Sequence, residues 1–149
     1  MIDARLTIRP LVDGDHAAWL PLWHAYLGYH GMWPEDAPRE TWPRLLHPDE
    51  PMHALGAFVD DRLEGFAHYV YHRHPWSDAN SCFLSDVFTA TGARRRGIAK
   101  ALIEAVFRDA AEAGASHVYG TTLMTNESSQ QLYELVAERS PVVVYRHQL

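Results

Sequence analysis

The chain has 149 residues, 47% hydrophobic and 21% charged, which is the size and balance of one folded domain built around a single sizeable core. Its formal net charge is −6, and the only basic concentration is one arginine cluster, which argues against a nucleic-acid binder and suits a cationic or amine-bearing partner. No apolar run approaches the ~20 residues that span a bilayer, and Met1-Ile2-Asp3-Ala4-Arg5 lacks the layout of a signal peptide.

Arg5 to Pro10 reads as a first strand, with Leu6 and Ile8 on one face. Asp13 or Asp15 is placed to cap the helix that follows. Trp19, Leu20, Trp23, Tyr26 and Leu27 make its apolar stripe, and the helix is expected to end near Gly28 to Gly31. Pro34 and Pro38 punctuate a loop. A short helix is expected over Glu40 to Leu46, with Pro43 in its first turn and Thr41 as its cap. Met52 to Val59 and Leu63 to His72 form a hairpin about Asp60-Asp61-Arg62. Pro75 to Asn80 is a polar connection.

Ser81 to Thr89 is the next strand, and alternation puts Cys82, Leu84, Asp86 and Phe88 on one face, with Phe83, Ser85 and Val87 on the other. A long helix runs from Gly97 to Ala113, buried through Ile98, Ala101, Leu102, Ala105, Val106 and Ala110, with Gly114 as its stop. His117 to Thr122 is a strand. Asn126 to Glu138 is a helix that turns Leu132, Leu135 and Val136 to the core. Pro141 to Arg146 supplies a last strand. The resulting order is β-α-α-β-β-β-α-β-α-β. Hairpin-linked strands pair antiparallel, and the strand–long helix–strand unit is a right-handed crossover between parallel strands. An α/β fold follows, a mixed sheet with helices on both faces, and the whole of 1–149 reads as one domain.

Cys82 is the only cysteine, so no internal disulfide can form, which fits a reducing cytoplasm. Its alternation with Leu84 marks a buried structural thiol rather than a nucleophile. The ten histidines show no metal-ligand spacing. His68, His72 and His74 are read as surface or sheet residues, and no metal is expected.

The stretch richest in chemistry is Arg94-Arg95-Arg96-Gly97-Ile98-Ala99, between a strand and the start of the long helix. The first N–H groups of a helix have no intrahelical partner, and the dipole makes that end positive. Gly97 removes a Cβ from the approach. Such a turn can receive a diphosphate. It can equally be a solvated basic turn. It lacks the Lys-Ser/Thr of a P-loop and the spacing of a dinucleotide site.

The motif Arg94-x-x-Gly97-x-Ala99 resembles the acetyl-CoA pyrophosphate loop of the GCN5-related N-acetyltransferase (GNAT) superfamily, and the element order resembles that family's layout along almost the whole chain. Asn126-Glu127-x-x-x-x-Leu132-Tyr133 is similar to the family's Asn-x-x-(small)-x-x-Leu-Tyr signature. The resemblance implies a cytoplasmic N-acetyltransferase that uses acetyl-CoA as co-substrate and acetylates a primary amine by direct transfer in a ternary complex. It implies that backbone N–H groups of Arg94, Arg95, Arg96, Gly97, Ile98 and Ala99 hold the pyrophosphate. The splayed strand end at Val87, Phe88 and Thr89 would pair with the pantetheine arm, Asn126 would bond that arm, and Tyr133 would protonate the leaving thiolate.

Asp86 stands where acidic residues often sit in the family. It can take a proton from the amine through water, hold the ammonium, or be satisfied by local hydrogen bonds, and burial is expected to raise its pKa. Four stretches resemble the subgroup that includes the yeast histone and polyamine acetyltransferase. They are Trp19 to Tyr26, the strand Phe83-Leu84-Ser85-Asp86-Val87-Phe88, and Val136-Ala137-Glu138-Arg139 with Thr41-Trp42. That subgroup implies an acceptor among polyamines, small amines and basic peptides, and a homodimer. One departure concerns the acceptor side, because many members follow Leu-Tyr with x-x-x-Gly-Phe. A second is a short tail, so the final hairpin is expected to be curtailed or completed by another subunit. The same fold without turnover, as a CoA-thioester-binding or sensor module, is the alternative.

Overall fold

The computed structural model describes residues 5–149. Met1 to Ala4, part of the stretch read as lacking a signal-peptide layout, lie outside them. Strands β1 (Leu6–Pro10), β2 (Met52–Val59), β3 (Arg62–His72), β4 (Ser81–Thr89) and β5 (His117–Gly120) form one sheet in sequence order. The first four pair antiparallel, and β5 runs parallel to β4. The helices are α1 (His16–Tyr29), α2 (Thr41–Leu46), α3 (Ile98–Glu112) and α4 (Glu127–Val136). This is the mixed α/β sheet with one parallel crossover that the chain order predicts.

The sheet separates two cores. On one face Trp19, Trp23 and Leu27 of α1 and Leu45 of α2 pack on Ala54, Phe58, Phe66 and Phe88. On the other, Ile98, Leu102, Ile103 and Val106 of α3 cover Leu55, Ala57, Ala67, Tyr69, Cys82 and Leu84, with Leu132, Tyr133 and Val136 of α4 beside them. Burying each such large side chain stabilises by roughly 1.5–3 kcal/mol. Cys82 is fully buried, and its apolar surroundings push the thiol up to about 11, so it is inert at neutral pH.

The hairpin turn is two residues long, because Arg62 already belongs to β3. Asp60 and Asp61 both adopt left-handed backbone, at φ 49° and 67°, which matches the right-handed twist of the strands they join. Asp60 Oδ1 accepts from the Arg5 N–H at 3.0 Å, so this turn is also tied to the lead into β1.

The largest departure from simple alternation lies in β4. His68 pairs with Asp86, but Tyr69 pairs with Leu84, so Ser85 is an extra residue opposite no partner. One inserted residue reverses every side chain beyond it. Cys82 and Leu84 therefore face α3, while Asp86 and Phe88 face α1, rather than all four sharing a face.

Other boundaries shift for local reasons. Asp15 does not cap α1 with its side chain, because its carboxylate is bound to Arg9 at 2.8 and 3.0 Å and to the Val12 N–H. Thr41 opens α2 as its first helical residue instead of capping it. Leu135 is exposed, since Leu132, Tyr133 and Val136 supply the buried stripe of α4.

β5 stops at Gly120, short of Thr122, where its neighbour β4 begins to bulge. Pro141 to Arg146 forms no strand. Val142, Val143, Val144 and Tyr145 are 72–92% exposed and have no ladder to join, and a strand exists only through a neighbour's hydrogen bonds.

Gly65 of β3 is packed so closely that an added Cβ would stand 2.8 Å from the Phe88 carbonyl oxygen and 3.2 Å from Ile98 at the start of α3. Gly65→Ala is expected to destabilise the fold by about 1–3 kcal/mol, the usual cost of overpacking. Chemical denaturation checks this, and an unchanged midpoint would refute the packing argument.

Candidate active site

The chemistry-bearing residues gather where β4 and β5 part. Their ladder ends at Leu84 and Gly120, whereas the β3–β4 ladder continues to Gly65 and Thr89. On its β5 side, the segment from Ser85 to Thr89 therefore borders a gap rather than a strand. The Tyr133 hydroxyl stands at this fork. An added Cβ on Gly120 would lie 3.8 Å from it and 3.1 Å from the Leu84 carbonyl oxygen. Thus a residue of α4, packed on the α3 side, reaches the opening from one face.

Asp86 approaches the same region from the other face. Its Oδ2 accepts from His68 Nδ1 at 3.0 Å and from Ser85 Oγ at 2.9 Å, and the Tyr26 hydroxyl of α1 lies close to the same carboxylate. His68 is 2% exposed, and Trp19 Nε1–H donates to its Nε2 at 3.1 Å. Burial works to raise the Asp86 pKa, but His68, first through its hydrogen bond and then through its charge when protonated, together with the Tyr26 and Ser85 hydroxyls outweighs it and holds the carboxyl below the usual range. The sequence-based expectation of a raised value is therefore corrected: a buried carboxylate with several donors is stabilised in its charged form. The phenols move the opposite way. Burial, and then the Asp86 charge, push Tyr133 up, and Tyr26 is raised far above its ordinary value by burial and by Asp86. Both remain protonated at neutral pH.

The arginine loop closes the other end of the gap. Gly97 takes φ 76° as the N-cap of α3, no side chain caps that helix, and an added Cβ at Gly97 would meet nothing within 4 Å. The first-turn N–H groups of Ile98 and Ala99 thus face an open approach. Arg95 also adopts left-handed backbone, at φ 63°, and Arg95 and Arg96 are exposed. Arg94 is engaged differently. Its Nε donates to the Thr89 carbonyl at 3.2 Å, and its guanidinium lies over Tyr29 and Phe88, so its side chain braces the loop against β4 and α1. Val87 packs with the α3 core and Phe88 with the α1 core. Asn126 caps α4, its Oδ1 accepting from the Ser129 N–H at 3.1 Å.

A model of the acetyltransferase (GNAT) family matches residues 19–136, most of the chain. The chain belongs to this family. Among its GNAT-type relatives is the D-amino-acid N-acetyltransferase HPA3 of Saccharomyces cerevisiae, 30% identical over 98% of this chain and 92% of that protein. A ribosomal-protein-alanine N-acetyltransferase from Brucella melitensis biovar Abortus superposes with a TM-score of 0.79 at 25% identity, over 97% of this chain and all (100%) of the other. The aminoglycoside N-acetyltransferase AAC(6')-Iy, solved in complex with CoA, shares the fold with a TM-score of 0.83 at 24% identity, over 99% of this chain and 97% of that one. The protein is an N-acetyltransferase.

Tyr26 and His68 join the site from positions where the sequence pattern marks only an apolar-stripe residue and one of several surface or sheet histidines. The signal was present in Asp86: a carboxylate inside an apolar strand needs buried donors, and a hairpin register puts a β3 residue opposite it. Among the described residues no three His, Cys, Asp or Glu side chains converge as they would around a metal ion, and no helix is long and apolar enough to cross a membrane.

Because Asp86 titrates below its unfolded value, its contribution to stability is complete above about pH 4 and is lost as pH falls through the folded value. The melting temperature of Asp86→Asn should therefore lie below that of the wild type near neutral pH, with the gap narrowing below about pH 4. Circular dichroism melts across this range check the sign, and a gap that widens in acid would contradict it.

Proposed function

We propose that this N-acetyltransferase transfers the acetyl group of acetyl-CoA to a primary amine by direct attack in a ternary complex, with 1–149 acting as one catalytic domain. The observation that carries the reading is the convergence of a protonated phenol, Tyr133, and a charged carboxylate, Asp86, on one gap in the sheet whose far end is an uncapped helix N-terminus. In this reading an extended thioester arm lies along the gap. The unpaired edge at Val87, Phe88 and Thr89 supplies amide partners, and the N–H groups from Arg94 through Arg95, Arg96, Gly97 and Ile98 to Ala99 supply a diphosphate cradle. The Asn126 amide nitrogen, left over by its capping oxygen, supplies a further donor.

In this reading Asp86 holds and orients the ammonium form of the acceptor, and its low pKa favours this over strong proton uptake. Once the amine has lost a proton to water, its nitrogen attacks the thioester carbonyl. Tyr133, kept protonated by its surroundings, then gives its proton to the departing thiolate, and the proton shed by the attacking nitrogen as the amide forms restores the phenol. The acceptor belongs to the class of polyamines, small amines and basic peptides. The yeast relative's D-amino acids make a first panel. A cytoplasmic location fits the lone buried thiol.

Tyr133→Phe is expected to lower kcat by roughly 10²–10⁴-fold, the usual contribution of a general acid, with acetyl-CoA affinity nearly unchanged. Stopped-time thiol release and calorimetry on the same preparation test this. Collapse of affinity without a fall in turnover per bound cofactor would remove the assignment.

A homodimer is part of the proposal, supported by the exposed run Val142 to Tyr145 and the exposed Tyr119 of β5. Sedimentation should give twice the monomer mass, and a monomer at assay concentration would remove this element.

A further inference from the structure

The Trp19–His68–Asp86 chain is built in an order that restricts what the histidine can do. An indole N–H is only a donor, so the Nε2 that receives it must be the unprotonated nitrogen of the ring. The single ring proton is then on Nδ1, directed at Asp86 Oδ2. The ring has no freedom to exchange these roles. It stacks on Phe66 with centroids 4.5 Å apart and meets Trp23 edge-on at 5.1 Å, inside a side-chain environment that leaves it 3% exposed. A proton arriving on Nε2 would meet the Trp19 N–H head on. His68 is therefore no relay to solvent, since its second nitrogen points into the α1 core. The Asp86 carboxylate, and not the imidazole, is the end of the chain that faces the gap.

We propose that His68, its tautomer set by Trp19, is a positioning residue that holds the Asp86 carboxylate in one orientation beside the gap, as an acceptor for the amine substrate. The inference rests on the role given to Asp86 above. It adds that the specificity for a cationic acceptor is set from behind, through a buried imidazole and indole that touch no substrate. The groups facing Asp86 are Tyr26 from α1, His68 from β3, Ser85 on its own strand and Tyr133 from α4. Ser85 donates from the same strand and the half-buried Tyr26 hydroxyl lies nearby, while His68 is the one donor that is itself fully buried. Loss of His68 leaves a partly buried carboxylate with fewer donors and more orientations.

Two measurements decide the matter. The first is the imidazole tautomer in the wild-type protein, read from long-range nitrogen–proton NMR correlations. His68 should be in the Nδ1–H form, and Trp19→Phe should release it to a mixture of tautomers. An Nε2–H or doubly protonated His68 in the wild type overturns the proposal without any assay.

The second is kinetic. His68→Phe should raise the KM for the amine by about tenfold or more, the loss expected of a hydrogen bond to a charged group. It should also move the acidic limb of kcat/KM to higher pH, with the KM for acetyl-CoA unchanged. His68→Gln, which can still accept from Trp19 and donate to Asp86, should recover much of both. If His68→Phe does not fold, Trp19→Phe gives the same readout in weaker form. An unaltered amine KM and pH limb in either folded variant overturns the proposal. A wild type that binds acetyl-CoA yet acetylates no amine would sink the proposed function instead, and the tautomer would still be decided by NMR.

Discussion

One extra residue in β4 governs the rest of the site. Ser85 has no partner opposite it in β3, and the face of the strand reverses there. Before the bulge, Cys82 and Leu84 bury against α3. After it, Asp86 and Phe88 bury against α1. β5 leaves β4 at the same level, at Gly120. The coincidence opens a gap in an otherwise continuous sheet, and a gap is the one place where side chains from opposite faces can meet. Tyr133 comes from the α3 side, and Tyr26 and Asp86 come from the α1 side. Without the bulge, Asp86 would point into the apolar layer of Leu102 and Val106, where an unpaired charge costs several kcal/mol.

The aromatic layer under α1 has a second use beyond burial. Trp19, Trp23, Tyr26, Phe66 and Phe88 pack with ring centroids about 5.5–6.1 Å apart. That layer is stiff, and it encloses His68 while leaving its two nitrogens with one donor and one acceptor. Rigid packing sets the imidazole, and the imidazole sets the carboxylate. Apolar order is thereby converted into the orientation of a charge at the edge of the core. The same economy appears at the arginine loop, where the Arg94 guanidinium lies on Tyr29 and Phe88 and leaves the helix N-terminus itself open.

The elements were legible because each carries a local signature. The stripe of Trp19, Trp23 and Leu27 marks α1, the Asp60-Asp61 turn marks the hairpin, and Gly97 and Gly114 bracket α3 at φ 76° and 77°. Arg94 to Ala99 and Tyr133 carry motifs, and the fold sets the loop and the phenol toward the stretch of β4 that β5 leaves unpaired. The tail departs from its sequence pattern for an equally local reason. Val142-Val143-Val144-Tyr145 has the composition of a strand, but composition carries no information about whether a neighbour is there to pair with it. Leu135 was misplaced because helical spacing alone does not say which arc of α4 meets the sheet.

The amino-acid sequence by itself determined the order of strands and helices as far as α4, the glycine-led start of α3 and the phenol of α4, because propensity, turn chemistry and apolar period are properties of neighbouring residues. Only the tertiary structure decided the face to which Asp86 belongs, its partnership with His68 eighteen residues away, and the downward displacement of its pKa. Those depend on register, and register shifts by one residue at a bulge that no local pattern announces. The charge state of the carboxylate was likewise beyond reach of composition, since burial and hydrogen bonding push it in opposite directions and only the folded contacts show which prevails.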